Sequence, residues 1–220
     1  MAADAPFTWS LVIPVKVLAQ AKSRLAGLAG PRRAELALAI AADTVAAAVR
    51  CQQVAAVIVV SDDQAATAEL AALGALVVPD EPRDGLNPAL VHGAAVAASL
   101  RPGTATGALA ADLPALRPEE LGRALLAAGA WPEAFVPDAA GSGTTLYTAA
   151  PGREFRPRFG PGSRRRHLAA GVTELALDDV AGLRRDVDTP GDLRSAARLG
   201  LGPRTAAVAS QLLRSARRDR

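Results

Sequence analysis

Apolar residues occur along this chain in short unbroken blocks, separated by longer stretches in which they recur every three or four positions. The blocks at residues 11–15, 55–60, 76–78, 107–111 and 134–136 have the length and the Val, Ile, Leu and Ala content of strands buried on both faces. Between them lie helical patterns. From Pro31, with Gly30 before it, Leu36, Ile40 and Ala47 share one face. Residues 64–73 follow Ser61, Asp62 and Asp63, which read as caps, and Gly74 closes that helix. Residues 88–100 and 118–128 begin with proline, as helices often do. Strands alternating with helices predict parallel βαβ units with right-handed crossovers.

The polar residues that interrupt this pattern carry the chemistry. Residues 106–116 read TGALAADLPAL, so Asp112 falls where a buried strand leaves the sheet, the end at which ligands collect in open α/β folds. A carboxylate there needs a cation or hydrogen-bond donors to offset its desolvation. Asp112 is therefore the first candidate metal ligand, with helix capping as the alternative. After the first strand, Lys16, Lys22 and Arg24 lie within nine residues, placed like a phosphate-gripping loop but without the glycine pattern of a Walker or Rossmann motif. Side-chain charge would have to contribute most of such a grip. In the proline-rich loop 79–88, Gly85 would let the backbone approach a flat ligand. Asn87 offers a donor and an acceptor for a base or sugar, or else caps the next helix.

Residues 141–148, GSGTTLYT, expose amides and small hydroxyls suited to a phosphate or carboxylate; the alternative is a plain hairpin turn. Residues 155–167, FRPRFGPGSRRRH, make a turn at Gly160–Gly162. Ser163 then opens a helix whose amides would face an anion, with Arg164–Arg166 close by. His167 has no cysteine or histidine at metal spacing and reads as a helix-surface residue. Near the end, Asp186 and Asp188 flank Val187, so in an extended segment they point the same way and could complete a magnesium site bridging phosphate oxygens. The alternative for either is a cap, or a pair with Arg184 or Arg185.

Composition narrows the function classes. Half of the 220 residues are hydrophobic but only 3% are aromatic, so the core must be built from Ala, Leu and Val. One cysteine rules out an internal disulfide and a cysteine zinc site, which suits a reducing cytoplasm. No apolar run reaches the roughly 20 residues of a membrane span. Net charge is +3, with arginines dense at the end. Without interleaved aromatics that tail reads as a solvated terminus rather than a nucleic-acid grip.

The combination PVK–AKSRL, DGLN, ADLPAL, GTTL, FGPGS and DVDTP resembles the guanylyltransferase family, known as CofC or FbiD, that makes the phosphodiester precursor of the deazaflavin coenzyme F-420. The six motifs keep their order between residues 9 and 199. The resemblance implies a single-domain αβα sandwich, GT-A-like, with a mixed, mostly parallel sheet over residues 9–200. Residues 1–8 would then be a flexible extension and 201–220 a basic tail. It implies coupling of GTP to phosphoenolpyruvate, or to 2-phospho-L-lactate, with release of pyrophosphate. The Ala- and Arg-rich composition resembles high-GC actinobacterial proteins, which favours phosphoenolpyruvate. Carried over, Thr145, Gly160 and Ser163 would hold the acceptor, and Asp112, Asp186 and Asp188 would hold Mg2+. Lys16, Lys22 and Arg24 would attend the triphosphate, with Gly85 and Asn87 near the guanosine. Asp112, Lys16 and Lys22 form the expected catalytic group, and the unstable product suggests hand-over to the downstream deazaflavin transferase. A molybdopterin- or sugar-phosphate-type nucleotidyltransferase and a non-catalytic nucleotide or nucleic-acid binder are the rival readings. The sequence leaves the oligomeric state open.

Overall fold

Strand β1 (Trp9–Pro14) is completely buried over its first five residues and is an interior strand, third in a seven-stranded sheet. The other strands are β2 (Val54–Val60), β3 (Leu76–Val78), β4 (Ala105–Leu109), β5 (Glu133–Pro137), β6 (Thr144–Ala149) and β7 (Thr173–Glu174), in spatial order β3-β2-β1-β4-β6-β5-β7. The computed structural model describes residues 7–19, 21–81 and 83–218. β1 pairs in parallel with β2 and β4, so Leu11 lies between Val57 and Gly107. β6 runs against both β4 and β5, which makes the sheet mixed but mostly parallel. The parallel half follows the sequence expectation, and the antiparallel insertion brings the start of β6 to the same edge as the ends of β1 and β4.

Successive residues of a strand face opposite sides, and β1 shows what each side buries. Trp9, Leu11 and Ile13 pack with Ala41, Val45 and Ala48 of α2 (Arg33–Val49), Leu70 of α3 (Gln64–Ala72) and Leu125 of α5 (Pro118–Ala128). Val12 faces Leu90 and Ala94 of α4 (Leu86–Leu100) on the other side. These two helical layers complete an αβα sandwich, each buried leucine or isoleucine contributing roughly 2 kcal/mol of transfer free energy. Among the described residues no helix is long and apolar enough to cross a membrane.

Several element ends differ by a residue or two from the sequence reading, and three differences have a clear physical cause. α4 begins at Leu86 rather than Pro88, because Gly85 adopts a positive φ of 97° and its carbonyl accepts from Ala89 N at 3.2 Å. β4 ends at Leu109, although Ala110 N still donates to Thr145 O, so Asp112 lies beyond the ladder. The largest correction concerns the expected tail. Pro203–Arg218 is a helix, α9, with Thr205, Val208, Ala209 and Leu212 buried, and it packs along α2. Buried Asp43 of α2 caps it, accepting from Arg204 N at 3.2 Å and Thr205 N at 2.7 Å, two amides that a helix start leaves unpaired. Residues 1–6 of the expected extension lie outside the described residues.

A core poor in aromatics lets helices come close to the sheet, and Gly93 marks the tightest place. A Cβ there would lie 2.5 Å from Val12 Cγ1 and 2.8 Å from Val60 Cγ2, two branched side chains held between strands. Gly93→Ala is therefore expected to destabilise the fold by about 1–3 kcal/mol through overpacking, although alanine is the better helix former. Urea unfolding checks this, since an unchanged or raised midpoint would mean that α4 is free to move outward.

Candidate active site

A cleft of about 660 Å³ opens at the carboxyl ends of β1 and β4 and the amino end of β6. Its floor follows from the topology, because β1 delivers Pro14 and Val15, β4 continues into Ala110–Asp112, and β6 begins with Thr144 and Thr145. Of the expected site residues, Lys16, Lys22, Arg24, Asp112, Thr145, Gly160, Ser163, Asp186 and Asp188 all line this cleft. Gly85 and Asn87 are absent from its lining, while their neighbour Leu86 belongs to it.

One wall is acidic. Asp112 is positioned by the turn after β4, where Leu113 N donates to Thr44 Oγ1 of α2 at 3.0 Å. Its own carbonyl accepts from Val187 N at 3.0 Å, which sets the segment holding Asp186 and Asp188 beside it. Lys22 reaches into this group, with Nζ 2.5 Å from Asp112 Oδ2 and 2.9 Å from Asp188 Oδ1. Lys22 itself has the left-handed backbone φ 54°, ψ 40°, uncommon for a side chain with a Cβ. Burial works against its charge, but the two carboxylates outweigh that and hold its pKa above the ordinary lysine value. Asp186 goes the other way. Burial first, then the charges of Asp112, Asp138 and Asp188, push its carboxyl up to about 7.

Such a cluster calls for more positive charge than one ammonium supplies. Among the described residues no three acidic, histidine or cysteine side chains approach closely enough to cage a metal on their own. The donor set nevertheless fits magnesium, which takes oxygen ligands and is commonly held by one or two carboxylates together with substrate phosphates.

The opposite wall carries hydroxyls, backbone amides and one carboxylate, Asp138. Asp138 accepts from Ser142 N at 2.9 Å and Gly143 N at 2.8 Å, shaping the turn before β6. A Cβ on Gly143 would push that carboxylate away from the two amides it caps. His167 is completely buried rather than on the helix surface. Its ring stacks on Phe135 and Tyr147 at centroid distances of 5.2 and 5.1 Å. Its Nε2 accepts from Arg158 N at 3.1 Å, so the neutral ring carries its proton on Nδ1 and donates to Thr144 Oγ1 at 3.0 Å.

Two arginines expected near an anion are engaged elsewhere. Arg164 forks onto Glu174 at 2.7 and 3.0 Å, and Arg166 donates to the carbonyls of Arg158, Phe159 and Pro161. The helix that Ser163 opens, α6 (Ser163–Ala169), is short, and Ser163 N already donates to Gly160 O at 3.0 Å. Asn87 Oδ1 accepts from Phe159 N at 2.8 Å, and its Nδ2 donates to Phe159 O at 3.1 Å. Thr44, Asp138 and His167 gave no motif-like signal, since each acts by filling a buried bonding position.

A cleft at the strand ends of a mixed sheet, with carboxylates on one side and amides and hydroxyls on the other, defines a nucleotidyltransferase-type α/β protein. Similar folds include a protein from Desulfovibrio desulfuricans described as a nucleotide-diphospho-sugar transferase, at TM-score 0.70 and 18% identity over 94% of this chain and 97% of that one. The 4-diphosphocytidyl-2C-methyl-D-erythritol synthase of Anaerococcus prevotii matches at TM-score 0.58 and 10% identity, over 87% and 95% of the two chains. At such identities the likeness concerns the fold alone. The chain belongs to the family of guanylyl transferases like CofC, which its residues 9–202 match. Relatives include the phosphoenolpyruvate guanylyltransferases of Thermomonospora curvata, 66% identical over 95% of this chain and 92% of that protein, and of Streptomyces coelicolor, 63% identical over 93% and 97%.

His167 makes stability depend on pH. Burial, with Arg158 and Arg166 nearby, lowers its pKa from 6.5 to about 4. Between those values the unfolded chain binds a proton that the folded chain refuses, so the contribution is complete above pH 6.5 and is lost as pH falls toward 4. The loss should be about 3 kcal/mol. Urea unfolding of the wild type and of His167→Gln at neutral pH and near pH 4.5 checks this, with the variant losing less. Equal losses would place the titration on other groups.

Proposed function

We propose that the protein is a phosphoenolpyruvate guanylyltransferase, coupling GTP to phosphoenolpyruvate to give enolpyruvyl-diphospho-guanosine and pyrophosphate, in cytoplasmic biosynthesis of coenzyme F-420. The observation that carries this reading is the pairing of two walls in one cleft: Lys22 between Asp112 and Asp188 on one side, Thr145, Gly160 and Ser163 on the other. The naming of the relatives supplies the two substrates.

In this reading a phosphate oxygen of the acceptor attacks the α-phosphorus of GTP. The bond from that phosphorus to the bridging oxygen breaks, and pyrophosphate leaves with the electron pair. The acceptor phosphate is already ionised at neutral pH, so no general base is needed, and the obstacle is the approach of two polyanions. Lys22, with Lys16 and Arg24 at the exposed rim, places positive charge on the triphosphate side. Asp112, Asp186 and Asp188 would hold Mg2+ only together with substrate phosphate oxygens, and when bound it would offset negative charge in the transfer. Thr145, Ser163 and the backbone at Gly160 hold the acceptor through neutral groups, so its own charge stays available for attack. Direct hand-over of the labile product to the deazaflavin transferase fits the same reading.

The test is pyrophosphate release from GTP and magnesium with phosphoenolpyruvate or 2-phospho-L-lactate, with ATP as control and the deazaflavin transferase present as a trap. Release is expected with GTP and phosphoenolpyruvate. Release with phospholactate alone would correct the acceptor, and silence with both would overturn the reaction. Asp112→Asn should lower turnover by about a hundredfold or more with an unchanged melting temperature, the scale set by losing a group that acts on transition-state charge. Near-normal turnover would remove Asp112 from the metal site.

A further inference from the structure

Segment 150–162, between β6 and α6, contains no strand or helix, yet it supplies Gly160 to the cleft. Backbone amides in such a stretch need partners from elsewhere, and here three side chains provide them. Arg156 N donates to Tyr147 Oη at 3.3 Å, Arg158 N to His167 Nε2 at 3.1 Å, and Phe159 N to Asn87 Oδ1 at 2.8 Å. Tyr147 and His167 come from β6 and α6, the elements that flank the segment, so they tie Arg156 and Arg158 back to those flanking elements. Asn87 comes from the first turn of α4, 72 residues away in sequence. It also makes two bonds where the others make one each to this backbone, since its Nδ2 donates to Phe159 O at 3.1 Å. A two-point grip on a single residue fixes both the position and the orientation of its peptide groups.

Taking the reaction proposed above as its premise, we propose that Asn87 is a positioning residue for the acceptor side of the cleft, holding Phe159 so that Gly160 and Ser163 stand in the geometry that receives the acceptor phosphate. A side chain that read the guanine would have to present the same donor and acceptor pair to the base. That pair already faces Phe159, and Asn87 does not line the cleft, whereas Leu86, Phe159 and Gly160 do.

The test compares wild type with Asn87→Ala and Asn87→Asp, the latter keeping the acceptor for Phe159 N and losing the donor to Phe159 O. KM for phosphoenolpyruvate should rise about tenfold or more in Asn87→Ala, the scale of two hydrogen bonds of about 1 kcal/mol each. KM for GTP and the preference for GTP over ATP should stay near wild type, and Asn87→Asp should share the selective rise. A rise confined to GTP, an equal rise for both substrates, or acceptance of ATP would overturn the assignment. Amide hydrogen exchange over residues 155–162 provides a readout independent of turnover. Faster exchange in Asn87→Ala is expected, and unchanged exchange would overturn the clamp. Should the wild type release no pyrophosphate with phosphoenolpyruvate, the reaction reading fails, and the exchange measurement still decides whether Asn87 holds the loop.

Discussion

The ammonium of Lys22 between two carboxylates is the interaction around which the cleft is assembled. Three segments distant in sequence meet there: the loop after β1, the turn after β4, and the strand-like stretch of Asp186 and Asp188. Four carboxylates line the same cleft, and like charges at this range repel strongly where water is partly excluded. The raised pKa of Asp186 records its burial first and that repulsion second. Without the ammonium the acidic wall would lose the charge that lets its chain segments approach. With it, the wall still carries excess negative charge, a condition that favours a divalent cation arriving with a phosphate-bearing ligand.

Rigidity is distributed unevenly to serve this arrangement. The core is mostly alanine, valine and leucine, and it holds sheet to helices by close approach at positions such as Gly93. The few aromatics are not scattered through it. Three of the four phenylalanines and the lone tyrosine gather with His167: Phe155 and Phe159 from the loop itself, Phe135 and Tyr147 from the strands under it. Aromatic rings give large, stiff contact area, so the irregular segment 150–162 rests on a rigid patch. Burial of a neutral imidazole there adds two directed hydrogen bonds to that patch.

Much of the fold was legible because its signals are local. Continuous β-branched runs gave the central strands, and Gly or Pro punctuation gave most helix ends. α9 was missed because its arginine-rich sequence resembles a frayed terminus, while its burial depends on Asp43 and the α2 surface, which no local pattern reveals. The residues expected in the site divide in the same way. Asp112 at a strand exit and the Asp186/Asp188 alternation could be placed from sequence, and the structure puts them in one cleft. Asp138, Thr44 and His167 could not, because their importance lies in which distant backbone group each one satisfies. Asn87 shows the limit most clearly: its chemistry, one donor and one acceptor, was evident, but the partner was a peptide 72 residues away.

The contrast between the two walls follows from the problem the proposed reaction poses. Holding one polyanion beside another by adding cations everywhere would stabilise the separate substrates as much as their encounter, and uniform binding does not accelerate a reaction. In the proposed reaction the cationic side chains of Lys16, Lys22 and Arg24 stand on the triphosphate side, beside the carboxylates that would take a metal. On the acceptor side, Arg164 is neutralised by Glu174 and Arg166 is turned onto backbone carbonyls. Arg166 thereby becomes a strut of the loop, and Arg164 ties α6 to Glu174 and Gly141, so hydroxyls and amides would face the proposed acceptor. An acceptor held by geometry rather than by counter-charge keeps its phosphate oxygen nucleophilic, and this requires a loop fixed from several directions at once. Tyr147, His167 and Asn87 supply those directions, from β6, α6 and α4 respectively.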